Sequence, residues 1–175
     1  LIAAGAVAPD GSAADAQGVP LVAIRAFDDN GNASSFSILR SIDYALSKGV
    51  RVMNLSWGSD TSSAFLRNAL AYAQSKGMVI VAAAGNEPTG RANYPAGYAG
   101  VLAVSATGGD GALWENSNYG EFISFAAPGT ATFPVGHQGP AGTYAGTSIA
   151  SAYVSRALAL YFARHPNAST AEAVA

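Results

Sequence analysis

The sequence predicts an α/β fold built on a doubly wound, mostly parallel sheet with helices on both faces. Two observations carry this. Strand and helix alternate, and two successive helices end on the same joint, Ser-Lys-Gly followed directly by an apolar strand, at Ser47 and at Ser75. The strands are also apolar without clean alternation, as in a sheet covered on both faces. Strand–helix–strand alternation implies parallel strands joined by right-handed crossovers.

Taken in order, residues 1–8 read as the tail of a small-residue helix and residues 9–18 as a turn-rich loop. Val19–Phe27 reads as a short apolar strand, closed by the turn residues Asp28-Asp29-Asn30-Gly31-Asn32. A helix follows from about Ser35 to Lys48, with Ile38, Ile42, Ala45 and Leu46 as its apolar stripe and Gly49 as its C-terminal stop. Val50–Leu55 is the next strand. The unit repeats as a helix from Ser63 to Lys76, carrying Leu66, Ala69, Leu70 and Ala73, then Gly77 and the strand Met78–Ala84. Val101–Ala106 and Phe122–Ala126 are two further strands with only loop between them. A last long helix begins near Ser148 and runs to Arg164, where His165-Pro166 stops it. Ser169-Thr170-Ala171-Glu172 is a capping box opening one more helix.

Composition narrows the function. The chain has 175 residues, half of them hydrophobic and 11% charged, with a net charge of -2. That size suits one domain, residues 1–175, and that charge argues for neither nucleic acid nor a membrane surface as partner. No apolar run reaches the roughly 18 residues of a spanning helix. There is no cysteine, so disulfides and thiolate metal sites are excluded. Two separated histidines and scattered carboxylates match no metal-ligand spacing. Gly108-Gly109-Asp110-Gly111 is a turn rather than a phosphate loop, so neither metal nor cofactor is expected. Tyr98, Trp114, Tyr119 and Phe122 read as core and loop anchors.

Ligands of open parallel sheets bind outside the C-terminal strand ends. There the sequence places Ser56-Trp57-Gly58 after one strand and Gly85-Asn86-Glu87 after another. Ser148, where a small-residue turn opens into a helix, is either an N-cap or a nucleophile beside an anion-stabilising helix start. Asn86 is either a turn residue or an amide donor to an oxyanion. His165 precedes a proline at a helix end and reads as solvated. His137, 11 residues before Ser148 in a glycine-rich loop, is the only local candidate for a general base.

Gly146-Thr147-Ser148-Ile149-Ala150-Ser151 and Ala82-Ala83-Ala84-Gly85-Asn86-Glu87 together resemble the subtilisin-like serine peptidases. Asn54-Leu55-Ser56-Trp57-Gly58, Tyr94-Pro95-Ala96-Gly97-Tyr98 and Ala126-Ala127-Pro128-Gly129 follow that family's order, so the resemblance covers nearly the whole chain. It implies a serine endopeptidase acting on polypeptide substrates, secreted or periplasmic. Ser148 would be the nucleophile, with Asn86 and the Ser148 N–H as oxyanion donors. Ser56, Trp57 and Gly58 would form one wall of the cleft and of the primary specificity pocket, and Ala83, Ala84 and Gly85 the other. Asn93 would be the pocket floor, polar, of moderate size and tolerant of varied side chains. Carbonyls at positions matching Ala96, Tyr98 and Val101 hold a weakly bound cation in some relatives; no metal is assigned here.

The chain also departs from the pattern. The family's Asp and His precede the region where this sequence begins, and no Asp-Thr/Ser-Gly or His-Gly-Thr stretch occurs in it. Leu1-Ile2-Ala3-Ala4 reads as the remainder of the histidine helix. The sequence is therefore expected to be a partial domain lacking its N-terminal strands, inactive alone. Its partner would be the missing N-terminal part, or a second copy meeting it at an exposed sheet edge. Ala152 stands where the motif has proline, and Tyr153 where a His is frequent. These departures keep open a pseudo-protease, a peptide-binding or scaffold domain without chemistry.

Overall fold

Two helix endings of the same design set the frame. The computed structural model describes residues 2, 19–133 and 142–175. In it, helix α1 (Ser35–Ser47) leads to strand β1 (Val52–Leu55), and helix α2 (Ala64–Ser75) leads to β2 (Val79–Ala83). After α1, Gly49 N–H donates to Leu46 O at 3.0 Å and Val50 N–H to Ala45 O at 3.2 Å. After α2, Gly77 N–H donates to Gln74 O at 2.9 Å and Met78 N–H to Ala73 O at 3.2 Å. Both are Schellman motifs, which need a left-handed residue after the C-cap, and Gly49 and Gly77 supply φ of 68° and 85°. The repeated Ser-Lys-Gly joint is thus a repeated turn, each time aiming the chain into the sheet. Ser34 and Ser63 open the helices by accepting from the Ser37 and Leu66 amides.

Strands β1, β2, β3 (Leu102–Thr107) and β4 (Phe125–Pro128) form one sheet in that order, every neighbouring pair parallel. Side chains alternate across β2, and the alternation divides the core. Ile80 and Ala82 join Ile42, Ala45, Leu70 and Ala73 of α1 and α2 on one face. Val79 and Val81 join Ala150, Leu158 and Phe162 on the other. These last three belong to α3 (Thr147–Arg164). Ile80 and Val81 are wholly buried; each contributes about 1.5–3 kcal/mol from burial. Helices therefore cover both faces, as the apolar strand pattern predicts. Arg51 ties the far end of α3 down, donating to Pro166 O at 3.1 Å and Ala168 O at 2.7 Å over the Phe162 ring. The capping box of α4 (Thr170–Val174) is present, and its hydrogen bonds from Ser169 hold the Glu172 carboxyl below its ordinary pKa.

Three expectations change. Val19–Phe27 is not a strand: it makes no ladder, and Leu21, Val22 and Ile24 are exposed. Its apolar pattern reports a segment suited to burial, but a strand also needs a partner edge, and β1 is not bonded to it. The strand expected at Phe122–Ala126 starts three residues later, because Ile123 N–H is turned back onto Gly120 O and Ser124 N–H reaches Ala103 O just ahead of the β3 ladder. An unforeseen antiparallel pair, β5 (Thr130–Phe133) and β6 (Gly142–Ala145), delivers the chain into α3. The readings for residues 3–18 and for His137 fall outside the described residues.

Candidate active site

The C-terminal ends of β1 and β2 and the first turn of α3 converge. The N-cap of α3 is Gly146, with no side-chain cap bond. Ser148 is therefore the second residue inside the helix, and the N-cap reading of its hydroxyl falls. The orphan amide at the helix start is satisfied from elsewhere. Asn86 Oδ1 accepts from both the Thr147 N–H and the Thr147 hydroxyl, each at 2.9 Å. Thr147 Oγ1 in turn accepts from Gly85 N–H at 3.1 Å. Thr147 is 1% exposed, so the helix end of this clasp is buried, and the clasp holds the helix start against the end of β2.

The clasp fixes the direction of the Asn86 amide. With Oδ1 engaged on Thr147, Nδ2 takes no part in the clasp; a Cβ built on Gly146 would lie 3.5 Å from Nδ2 and 3.7 Å from Oδ1. Asn86 is exposed and Ser148 half-buried. The Ser148 N–H is among the first four amides of the helix, which have no carbonyl to bond within it. The Ser148 N–H and hydroxyl thus lie at the positive end of an 18-residue helix, one residue beyond the Thr147 that Asn86 holds.

The β1 side is tied to the same turn by a rail of hydroxyls and one amide. Ser155 Oγ donates to Asn54 Oδ1 at 3.0 Å, and Asn54 Nδ2 donates to Ser56 Oγ at 2.7 Å. Ser56 Oγ lies 3.0 Å from Ser151 Oγ, which donates to Ser148 O at 3.0 Å. Ser148 Oγ itself donates to the Ser56 carbonyl at 3.2 Å rather than to a ring nitrogen. His165 stacks on Tyr161 at the other end of α3, about 25 Å from Ser148 at the helical rise per residue.

The two segments expected to wall a substrate cleft face each other across Asn93. A Cβ built at Gly58 would lie 2.5 Å from Asn93 Oδ1, and one built at Gly85 would lie 2.9 Å from Asn93 Nδ2. The structure thus brings Ser56, Gly58, Gly85, Asn86, Asn93 and Ser148 to one place. Ala83 and Ala84 lie buried behind Gly85, and the Trp57 ring meets Phe27 edge-on at 5.5 Å.

Sequence reasoning missed Thr147, Asn54, Ser151, Ser155 and Asn118. Asn118 is 3% exposed. Its Nδ2 donates to Ala84 O at 3.1 Å and Arg91 O at 2.8 Å, and its Oδ1 accepts from Gly90 N–H at 3.1 Å and Tyr119 N–H at 3.0 Å. Its own N–H reaches Gly85 O at 3.0 Å. This one amide pegs the whole 84–91 loop that carries Asn86. Replacing Asn118 by Ala orphans buried partners at once, and urea unfolding should show a loss on the order of 3 kcal/mol.

The departures at Ala152 and Tyr153 are absorbed by packing. Ala152 is 7% exposed. Tyr153 packs on Ala131 and Ile149 and donates to Thr130 O at 3.4 Å, and burial raises its pKa.

A model of the subtilase family matches residues 1–175. The chain is 35% identical over 158 residues to the minor extracellular protease Epr of Bacillus subtilis (strain 168), covering 90% of this chain and 24% of Epr. It is 37% identical over 155 residues to subtilisin Savinase of Lederbergia lenta, covering 87% and 56%. It is 34% identical over 166 residues to thermitase of Thermoactinomyces vulgaris, covering 93% and 58%. The chain therefore spans at most about three fifths of these relatives. Among solved structures, a psychrophilic protease superposes with a TM-score of 0.71 at 28% identity, over 83% of this chain and 55% of that one. The self-cleaved protease domain of PatA does so with 0.69 at 28%, over 81% and 57%.

Proposed function

The chain belongs to the subtilase family, and we propose that its 175 residues form a partial catalytic domain carrying the nucleophile-and-oxyanion half of a serine endopeptidase site. The observation that carries this reading is the Asn86–Thr147–Gly85 clasp, which sets an amide donor beside the start of the helix bearing Ser148. Ser148 Oγ attacks the scissile carbonyl, and Asn86 Nδ2 and the Ser148 N–H hold the tetrahedral oxyanion. The segments Ser56–Gly58 and Ala83–Gly85 bind the substrate backbone, and Asn93 floors the pocket between them. The proton-carrying His and its Asp belong to polypeptide outside the 175 residues, so these residues alone are inactive.

The partner for the missing half has a place to sit. Among the described residues β1 is an end strand, and a cleft of about 640 Å³ between it and residues 19–27 is lined by apolar side chains including Leu21, Ile24, Ile42, Met53 and Phe162. The N-terminal part of the domain fills that edge; in its absence a second copy does. Export, to the medium or the periplasm, follows the extracellular relatives. A pseudo-protease scaffold is the alternative, and the packing of Ala152 and Tyr153 is compatible with either; an Asp-Thr/Ser-Gly and a His-Gly-Thr upstream of Leu1 would favour the protease. The test is caseinolysis by the complete protein. It should digest casein, with Ser148→Ala at background; casein left intact by the complete wild-type protein would refute the protease reading.

A further inference from the structure

We infer that Ser155, two turns along α3 from Ser148, is a positioning residue for that nucleophile, acting through a one-way chain of hydrogen bonds that ends on the Ser148 carbonyl. The inference rests on the protease reading above. The chain exists because two spacings match. On β1, Met53 and Leu55 face the α1–α2 core and Val52 faces α3. Asn54 is therefore turned to α3 as well, with Ser56 two residues on. Two strand residues span about 6.6 Å, and the four from Ser151 to Ser155 span about 6 Å of helix. One polar pair thus lies along the other, in an interface where Ser151 is 0% and Ser155 1% exposed.

The amide sets the direction. Ser155 Oγ donates to Asn54 Oδ1 at 3.0 Å, and Asn54 Nδ2 donates to Ser56 Oγ at 2.7 Å. The Ser56 hydroxyl then sends its own proton onward, to Ser151 Oγ at 3.0 Å or to Ser148 O at 3.3 Å, and Ser151 Oγ donates to Ser148 O at 3.0 Å. Every proton points towards one carbonyl, and hydrogen bonds aligned in this way strengthen one another. Ser56 also accepts the Ser148 hydroxyl on its carbonyl at 3.2 Å. The last links therefore hold the nucleophile both by its hydroxyl and by its backbone. Packing alone does not require such a chain. Replacing both partners of a buried hydrogen bond by apolar groups of the same shape can be nearly neutral. Apolar side chains could not hold the Ser148 carbonyl at a fixed point, and a misplacement of about 1 Å can cost about 10²-fold in rate.

The test uses the complete protein, its Ser155→Ala and Ser151→Ala variants and the double variant, hydrolysing a peptide anilide well below all their melting temperatures. Ser155→Ala removes one hydroxyl and puts the best helix former in its place. It should lower kcat about tenfold, less than a full 1 Å displacement costs, with KM within about twofold of wild type. A merely structural serine would lower the melting temperature and leave kcat alone, so a Ser155→Ala kcat within about twofold of wild type overturns the relay. So does a double variant whose kcat losses multiply, because two breaks in one chain cost no more than the worse of them. A second arm needs no turnover. The amides of Thr147, Ile149 and Ala150 are all hydrogen-bonded at the start of α3. Their hydrogen exchange should quicken about fivefold in Ser155→Ala, the equivalent of one net hydrogen bond. Quickening confined to the residues around Ser155 overturns the relay. Hydrolysis failing in every protein while the helix start still loosens would refute the protease reading and keep the relay.

Discussion

The isolated 175-residue chain, treated with a fluorophosphonate probe, should leave Ser148 unlabelled over times that fully label a working serine peptidase. A serine hydroxyl is a weak nucleophile until a base takes its proton. Here Ser148 Oγ donates to the Ser56 carbonyl, an acceptor that cannot carry the proton on to a leaving group. His165 is fixed against Tyr161 at the far end of α3. In subtilisin, a relative, loss of the triad histidine costs about 2 × 10⁶ in kcat, and that value, taken from the relative, sets the scale of the deficit. Only what the oxyanion donors supply should remain.

The same experiment has a second arm. Refolding the chain with the upstream part of the domain should restore labelling if, as proposed, that part supplies the base and covers the edge of β1. Restoration should coincide with loss of concentration-dependent association in sedimentation, since an added strand and a second copy compete for one edge. Robust labelling of Ser148 in the isolated chain would sink the proposed division of the site. Labelling that stays absent after successful co-refolding would sink the assignment of Ser148.

What the sequence made legible was local or periodic. The Ser-Lys-Gly joints announced two Schellman turns because the left-handed residue has to be glycine, and a glycine is visible in a sequence. The apolar strands announced burial on both faces, which β2 bears out through Ile80 on one side and Val81 on the other. Ser148 and Asn86 stood out through their motifs and their places at a helix start and a strand end. Hidden were the groups whose role is long-range. Thr147 joins residues 85 and 86 across more than sixty positions, and Asn118 reaches back to residues 84, 90 and 91. Neither has a periodicity or a neighbour in sequence that betrays its partners. Val19–Phe27 failed for the complementary reason: its composition is a strand's, but pairing is a property of the edge beside it. Asn93 was placed in the pocket by its position before Tyr94, while its fit between two glycines exists only in three dimensions.

Asn86→Leu and Asn86→Asp in the complete protein should lose kcat alike and part company in stability. Removing the corresponding donor from subtilisin costs about 10²–10³ in kcat, and loss on that scale, with KM little changed, is expected of Asn86→Leu. An interaction made only with the developing oxyanion lowers kcat without weakening ground-state binding. Asn86→Asp should fall at least as far, because it puts a negative charge where negative charge develops. Stability separates the two because the other end of the Asn86 amide has a structural task. Oδ1 serves the Thr147 N–H and hydroxyl, and Thr147 is buried. Leucine strands those groups, at about 1–3 kcal/mol for each unsatisfied buried donor. Aspartate keeps both bonds and adds an anion at a helix N-terminus, worth about 0.3–1 kcal/mol. Thermal melts at neutral pH should therefore place Asn86→Asp at or above wild type and Asn86→Leu clearly below. A leucine variant as stable as wild type would break the clasp, and an aspartate variant with undiminished kcat would remove Asn86 from the oxyanion site.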